Sequence, residues 1–160
     1  MRIAIVVIMA TFFSSCATNI YFVRHAEKEN ATADTPLSEK GEKRAVALKD
    51  RLKDAKIDVI YATDYNRTKS TAKPLSEAIG KQVIIYIPDK SFSEKLKGFK
   101  NKNVLVVGHS NTIPETIYDL TSEIVSISED DFDYLFIITI TKFFRTKIKF
   151  KTESYGSVSR

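Results

Sequence analysis

The chain has 160 residues, 43% of them hydrophobic and 28% charged, with 5 Gly, 4 Pro and a formal net charge of +5. One domain of this length can bury a substantial core, and the composition excludes disordered and fibrous classes. The lysines mix with acids except in residues 142–151, where Lys147, Lys149 and Lys151 alternate with Ile148 and Phe150 as in a strand with one wet face. No basic patch interleaved with stacking aromatics marks a nucleic-acid binder, so the surplus positive charge is expected to attract small anions.

The first fifteen residues differ from the rest. Arg2 supplies a short positive segment, and residues 3–13 form an apolar run of signal-peptide length, too short to span a bilayer. Cys16 follows Phe13-Ser14-Ser15 directly, a pattern that resembles the lipobox of bacterial lipoproteins. Residues 1–15 are therefore expected to be a removed leader, Cys16 a lipidation site and residues 17–160 the folded domain. That domain is expected to be a monomer held by lipid on an extracytoplasmic membrane face, or secreted if Cys16 carries no lipid. The competing expectation makes residues 3–9 a first buried strand and Cys16 a core thiol. A single cysteine forms no disulfide within the chain.

Downstream, strand and helix periods alternate. Residues 19–24 read as a strand, and Thr35-Pro36-Leu37-Ser38 as a turn in which Ser38 caps a helix over residues 39–53, with Ala45, Leu48 and Leu52 on its inner stripe. A strand over 58–62 follows. Asp64 reads as the cap of the next helix, which carries Ala72, Leu75 and Ile79 and stops at Gly80. Strands over 83–87 and 104–108 flank a short connection with at most one small helix. A third helix includes residues 114–120, and a hairpin-like pair over 134–141 and 143–150 ends the chain. The expected fold is α/β, a three-layer sandwich with a mostly parallel central sheet, helices on both faces and one antiparallel edge strand.

Each of the two histidines stands where an apolar run gives way to a loop, His25 after Ile20-Tyr21-Phe22-Val23-Arg24 and His109 after Val104-Leu105-Val106-Val107-Gly108. Ligands of open α/β sheets bind outside the carboxyl ends of the strands, so both histidines point to one site. A neutral imidazole nitrogen can attack phosphorus near neutral pH, provided the other ring nitrogen keeps its proton. Arginine forks such as those of Arg24 and Arg67 match the oxygens of a transferring phosphoryl group.

Val23-Arg24-His25-Ala26-Glu27-Lys28, the segment 61–72 with Arg67, and Gly108-His109-Ser110-Asn111-Thr112 together resemble the histidine phosphatase superfamily, with its phosphoglycerate mutase-like fold. The likeness runs over roughly residues 19–150 and is strongest to the short, minimal members. It implies a cofactor-independent phosphatase of small phosphomonoesters that works through a phosphohistidine on His25. Arg24, Arg67 and His109 would bind the phosphoryl group. Larger members insert helices after the third strand, so an open site is expected here. The leaving-group acid is a Glu after the third strand in mutase-like members, or an Asp after the second histidine in the acid-phosphatase branch, where this chain has Ser110. Asp89, Glu94 and Glu27 stand as unranked candidates. A missing acid would favour leaving groups that need little protonation. Two further readings stay open: a phosphohistidine protein phosphatase, and a catalytically silent phosphate-binding module. Two histidines, one cysteine and carboxylates without ligand spacing imply no metal site, and no glycine-rich phosphate loop is present.

Overall fold

The computed structural model describes residues 17–142 and 144–159. The expected leader, the competing strand over 3–9 and Cys16 lie outside the described residues. Ten elements follow in chain order: β1 (Ala17–Arg24), α1 (Glu39–Leu52), β2 (Val59–Ala62), α2 (Asn66–Ile79), β3 (Val83–Ile85), α3 (Lys90–Gly98), β4 (Asn103–Gly108), α4 (Thr112–Thr121), β5 (Tyr134–Lys142) and β6 (Thr146–Ser154). One six-stranded sheet has the order β3-β2-β4-β1-β5-β6. Its first four strands are mutually parallel, each reached through a helix.

The alternation of side chains across the sheet builds two cores. Ile20 and Phe22 of β1 with Val104 and Val106 of β4 face α3 and α4, burying Phe92, Leu96, Ile113 and Ile117. Val23, Leu105 and Val107 face the other way, onto Leu48 and Leu52 of α1 and Ala72 and Leu75 of α2. Central parallel strands buried on both sides read as unbroken apolar runs for this reason. One strand runs against the rest, as expected, but not at the edge: β5 lies antiparallel between β1 and β6, and β6, which runs with β1–β4, forms the edge. Leu135, Phe136, Ile138 and Ile140 are all buried, which requires a covered position for β5, whereas the lysines of β6 keep it at the margin. β6 begins at Thr146 rather than residue 143.

Local caps explain the site's frame. Ser38 Oγ accepts from Gly41 N at 3.1 Å as α1 begins. A Cβ on Gly41 would sit 2.2 Å from the Glu27 carbonyl oxygen, so only glycine lets α1 close on the loop after β1. Asp64 does not cap α2. It lies one residue before the cap position and pairs with Lys69 at 2.8 Å, while Asp34, from a distant loop, accepts from Asn66 N at 2.6 Å. β3 ends at Ile85 rather than residue 87, although Tyr86 N still donates to Ala62 O at 3.0 Å.

Candidate active site

Arg24 pairs with Gly108 across the β1–β4 ladder, and His25 N extends it by donating to Gly108 O at 2.9 Å. The two strands therefore leave the sheet together, and the His25 and His109 rings stand edge to face with centroids 5.4 Å apart. They share a cavity of about 550 Å³ with Arg24 and Arg67. No residue of α3 lines this cavity, so the short segment after β3 lays no helix over it. Gly108 has no room for a side chain, since a Cβ there would lie 2.9 Å from the Tyr86 hydroxyl at the cavity wall.

The ring nitrogens are distinguished by their partners. His25 Nδ1 lies 2.8 Å from Ala26 O. A carbonyl only accepts, so Nδ1 carries the proton and Nε2 keeps its lone pair. Burial, then the nearby charge of Arg24, lowers His25 to about 3, so the ring is neutral at physiological pH. His109 Nδ1 is 3.4 Å from Arg67 Nη2, which can only donate, while Nε2 is 2.8 Å from Thr63 Oγ1. His109 therefore has the opposite tautomer, with Nε2–H donating to Thr63. That hydroxyl donates on to Thr68 Oγ1 at 3.2 Å, which donates to Thr63 O at 2.7 Å. Burial, then Arg67, lowers His109 to about 4. Thr63 and Thr68 went unnoticed in the sequence, yet Thr63 follows β2 just as His25 follows β1 and His109 follows β4.

The arginines are only partly satisfied. Arg24 is 4% exposed; its Nη1 donates to the carbonyls of Ser128 at 2.7 Å, Glu129 at 2.8 Å and Asp131 at 3.3 Å, and its Cζ lies 4.1 Å over the Phe132 ring. Nη2 meets the Glu129 carboxylate at 3.2 Å. Arg67 Nη1 donates to Ala33 O, and its Cζ lies 4.3 Å over Tyr65. Both Nε–H groups are buried without a partner. Buried donors are rarely left so, and both side chains line the cavity.

None of the three carboxylates proposed from sequence as acids lines the cavity. Glu27 is gripped by Arg44, which donates from Nε at 2.8 Å and Nη2 at 2.7 Å. Burial alone would raise Glu27, but these bonds hold it below the ordinary carboxylate range. Asp89 caps α3, accepting from Phe92 N at 2.9 Å and Ser91 Oγ at 2.7 Å, bonds that keep it low. Glu94 is exposed and paired with Lys97 at 2.8 Å. The carboxylates that do line the cavity are Asp64 and Glu129. Among the described residues no three His, Cys, Asp or Glu side chains converge as a metal ion requires.

The model of the histidine phosphatase superfamily (branch 1) matches residues 20–95. A 103-residue stretch is 30% identical to "Probable phosphoglycerate mutase GpmB" of Escherichia coli O139:H28, covering 60% of this chain and 44% of that relative. The chain thus spans less than half the length of the curated relatives it matches. Among solved structures, the protein histidine phosphatase SixA complexed with tungstate superposes with a TM-score of 0.69 at 16% identity, over 85% of this chain and 96% of that one. A mycobacterial glucosyl-3-phosphoglycerate phosphatase with VO3 gives 0.68 at 13% identity, over 86% and 99%.

Proposed function

We propose that the chain is a histidine phosphatase that hydrolyses phosphomonoesters through a phosphohistidine on His25. The observation that carries this reading is the Nδ1–H bond of His25 to Ala26 O, which leaves Nε2 as a free nucleophile beside two arginines. In the first step Nε2 forms a bond to phosphorus as the bond to the leaving oxygen breaks. Arg24 and Arg67 stabilise the charge spread over the phosphoryl oxygens, and His109 joins them by turning its Nε2–H from Thr63 to an oxygen. Water then attacks the phosphohistidine and returns His25 to its neutral form. Two guanidinium groups supply the positive charge here, so turnover is expected to persist in EDTA.

Glu27, Asp89 and Glu94 are turned away, and Asp64 and Glu129 at the cavity are paired with Lys69 and Arg24, which favours substrates whose leaving groups need little protonation. Aryl phosphates and phosphohistidine fit that description, so a phosphohistidine protein phosphatase is the second reading. The uncovered cavity favours hydrolysis over mutase chemistry, which benefits from excluding water. The test is a series of aryl and alkyl phosphates with an alkaline quench, because phosphohistidine survives alkali. Label on His25, with kcat falling steeply as the leaving group becomes more basic, supports the proposal. Turnover without label on His25 would overturn it.

From the sequence alone we also propose that residues 1–15 are a leader and that lipid on Cys16 holds a monomeric domain at an extracytoplasmic membrane face. Cys16→Ser should move the protein from detergent to the aqueous phase. Unchanged partitioning and processing would reject lipidation.

A further inference from the structure

Segment 142–151 holds five Lys or Arg residues and no Asp or Glu, so it accounts for the whole net charge of +5 and leaves the rest of the chain neutral. Its described residues are the last of β5, the pair 144–145 between the strands and the first six of β6. Ala17, the first residue of β1, pairs with Thr141, and Lys142 pairs with Thr146. The hairpin turn therefore lies where the chain enters the sheet, about seven strand residues or roughly 23 Å from the cavity at the other end of β1. Arg145, Lys147 and Lys149 are exposed and enter no ion pair among the described residues. At the turn, Phe144 is 91% exposed.

Lysines on an edge strand also block edge-to-edge pairing, which would explain Lys147, Lys149 and Lys151. It explains neither the exposed Phe144 in the turn nor Arg145 beside it. A projecting, acid-free tip with an apolar point suits a flat, negatively charged partner. A nucleic-acid strand would call for a groove with several stacking rings. Cys16, the proposed lipid site, immediately precedes β1 at this same end of the sheet, which favours a bilayer.

We propose that the β5–β6 hairpin docks on anionic lipid headgroups, with the catalytic cavity turned away from the membrane. A polybasic patch is one of the signals that strengthen and orient membrane anchoring. This orientation rests on the leader reading above; the dependence on lipid charge does not.

The full chain is floated with vesicles of phosphatidylcholine alone and of phosphatidylcholine mixed with phosphatidylglycerol. Each cation near an anionic surface strengthens partitioning about fivefold, so Lys147→Gln with Lys149→Gln should weaken binding to mixed vesicles by about twentyfold and leave binding to neutral vesicles unchanged. Raising salt from about 0.1 M to about 1 M, which shortens the Debye length from roughly 10 to roughly 3 Å, screens every cation of the hairpin and should weaken binding to mixed vesicles at least as much. Phe144→Ser with Arg145→Gln in the turn provides an independent variant, and far-UV circular dichroism checks folding in each. Equal partitioning to both vesicle types, or a preference that survives both double variants, overturns the proposal. Displacement from mixed vesicles by single-stranded DNA would do the same in favour of nucleic acid. Neutral-vesicle binding reports the leader separately.

Discussion

Arg44 and Arg24 each meet a glutamate, but the two pairs differ in what they leave unused. Arg44 spends its fork on Glu27 and its Nη1 on the carbonyls of Tyr155 and Ser157, at 3.2 and 3.0 Å, with both pair members buried. It ties the loop after β1 to α1 and to the end of the chain. Arg24 spends Nη1 on three carbonyls of the 128–131 loop, but its Nε–H is unmatched and its glutamate partner is 83% exposed. A closed network holds structure, whereas donors left over beside a cavity can bind a ligand. The segment 23–28 thus holds two residues of opposite kind, His25 at the cavity and Glu27 behind it.

Substitution of His25 should expose the contrast most strongly. His25→Ala is expected to lower kcat by at least about 10³-fold while the protein stays folded, since a covalent catalyst has no substitute nearby. Near-normal turnover would remove the nucleophile from the cavity side of the comparison.

The two arginines should then fail in different assays. Arg24→Lys keeps the charge but loses the fork, and kcat/KM is expected to fall about 10²-fold with a smaller loss of urea stability than Glu27→Gln brings. Glu27→Gln leaves Arg44 buried without its anion and is expected to cost about 3 kcal/mol of stability, with kcat of the folded fraction nearly unchanged. If Glu27→Gln instead abolished kcat in folded protein, Glu27 would have to be counted with the catalytic groups.

Acid should separate the regions by pH window. His25 and His109 titrate near 3 and 4 in the folded chain, against about 6.5 when unfolded, so between about 6.5 and 4.5 only the unfolded chain takes up these protons. Stability is expected to fall as pH drops through that window, and His25→Asn with His109→Asn should flatten the decline. Glu27, held low by Arg44, adds its own loss only below about 4.5, where an unfolded carboxylate begins to protonate. Urea midpoints measured from pH 7 to pH 4 check both; a decline unaltered in the double variant would show the histidines to be ordinary.

Glu129 should give the smallest effect. Its exposed pair with Arg24 competes with a bound oxyanion, so Glu129→Gln is expected to tighten inorganic phosphate by at most about fivefold in calorimetry. A drop of two orders of magnitude on alkyl phosphates would instead make Glu129 the leaving-group acid.

The parallel strands, the helix stripes and the placement of both histidines at neighbouring strand ends were legible in the chain, because each depends on local periodicity. Unbroken runs such as 104–108 are buried on both faces, and a strand's last residue points into the crevice whatever its partners. The same local reading misplaced the cap of α2, since Asp34 lies 32 residues before Asn66 in sequence and only packing brings it there. It could not see that Arg44 would claim Glu27, or that Arg24 would lean on carbonyls more than 100 residues away. Hydrogen-bond partnership over such separations has no sequence period. Tertiary structure alone decided which carboxylates were spent on structure, which ring nitrogen of each histidine keeps its proton, and which arginine donors remain free, because each depends on the atoms that packing brings within reach.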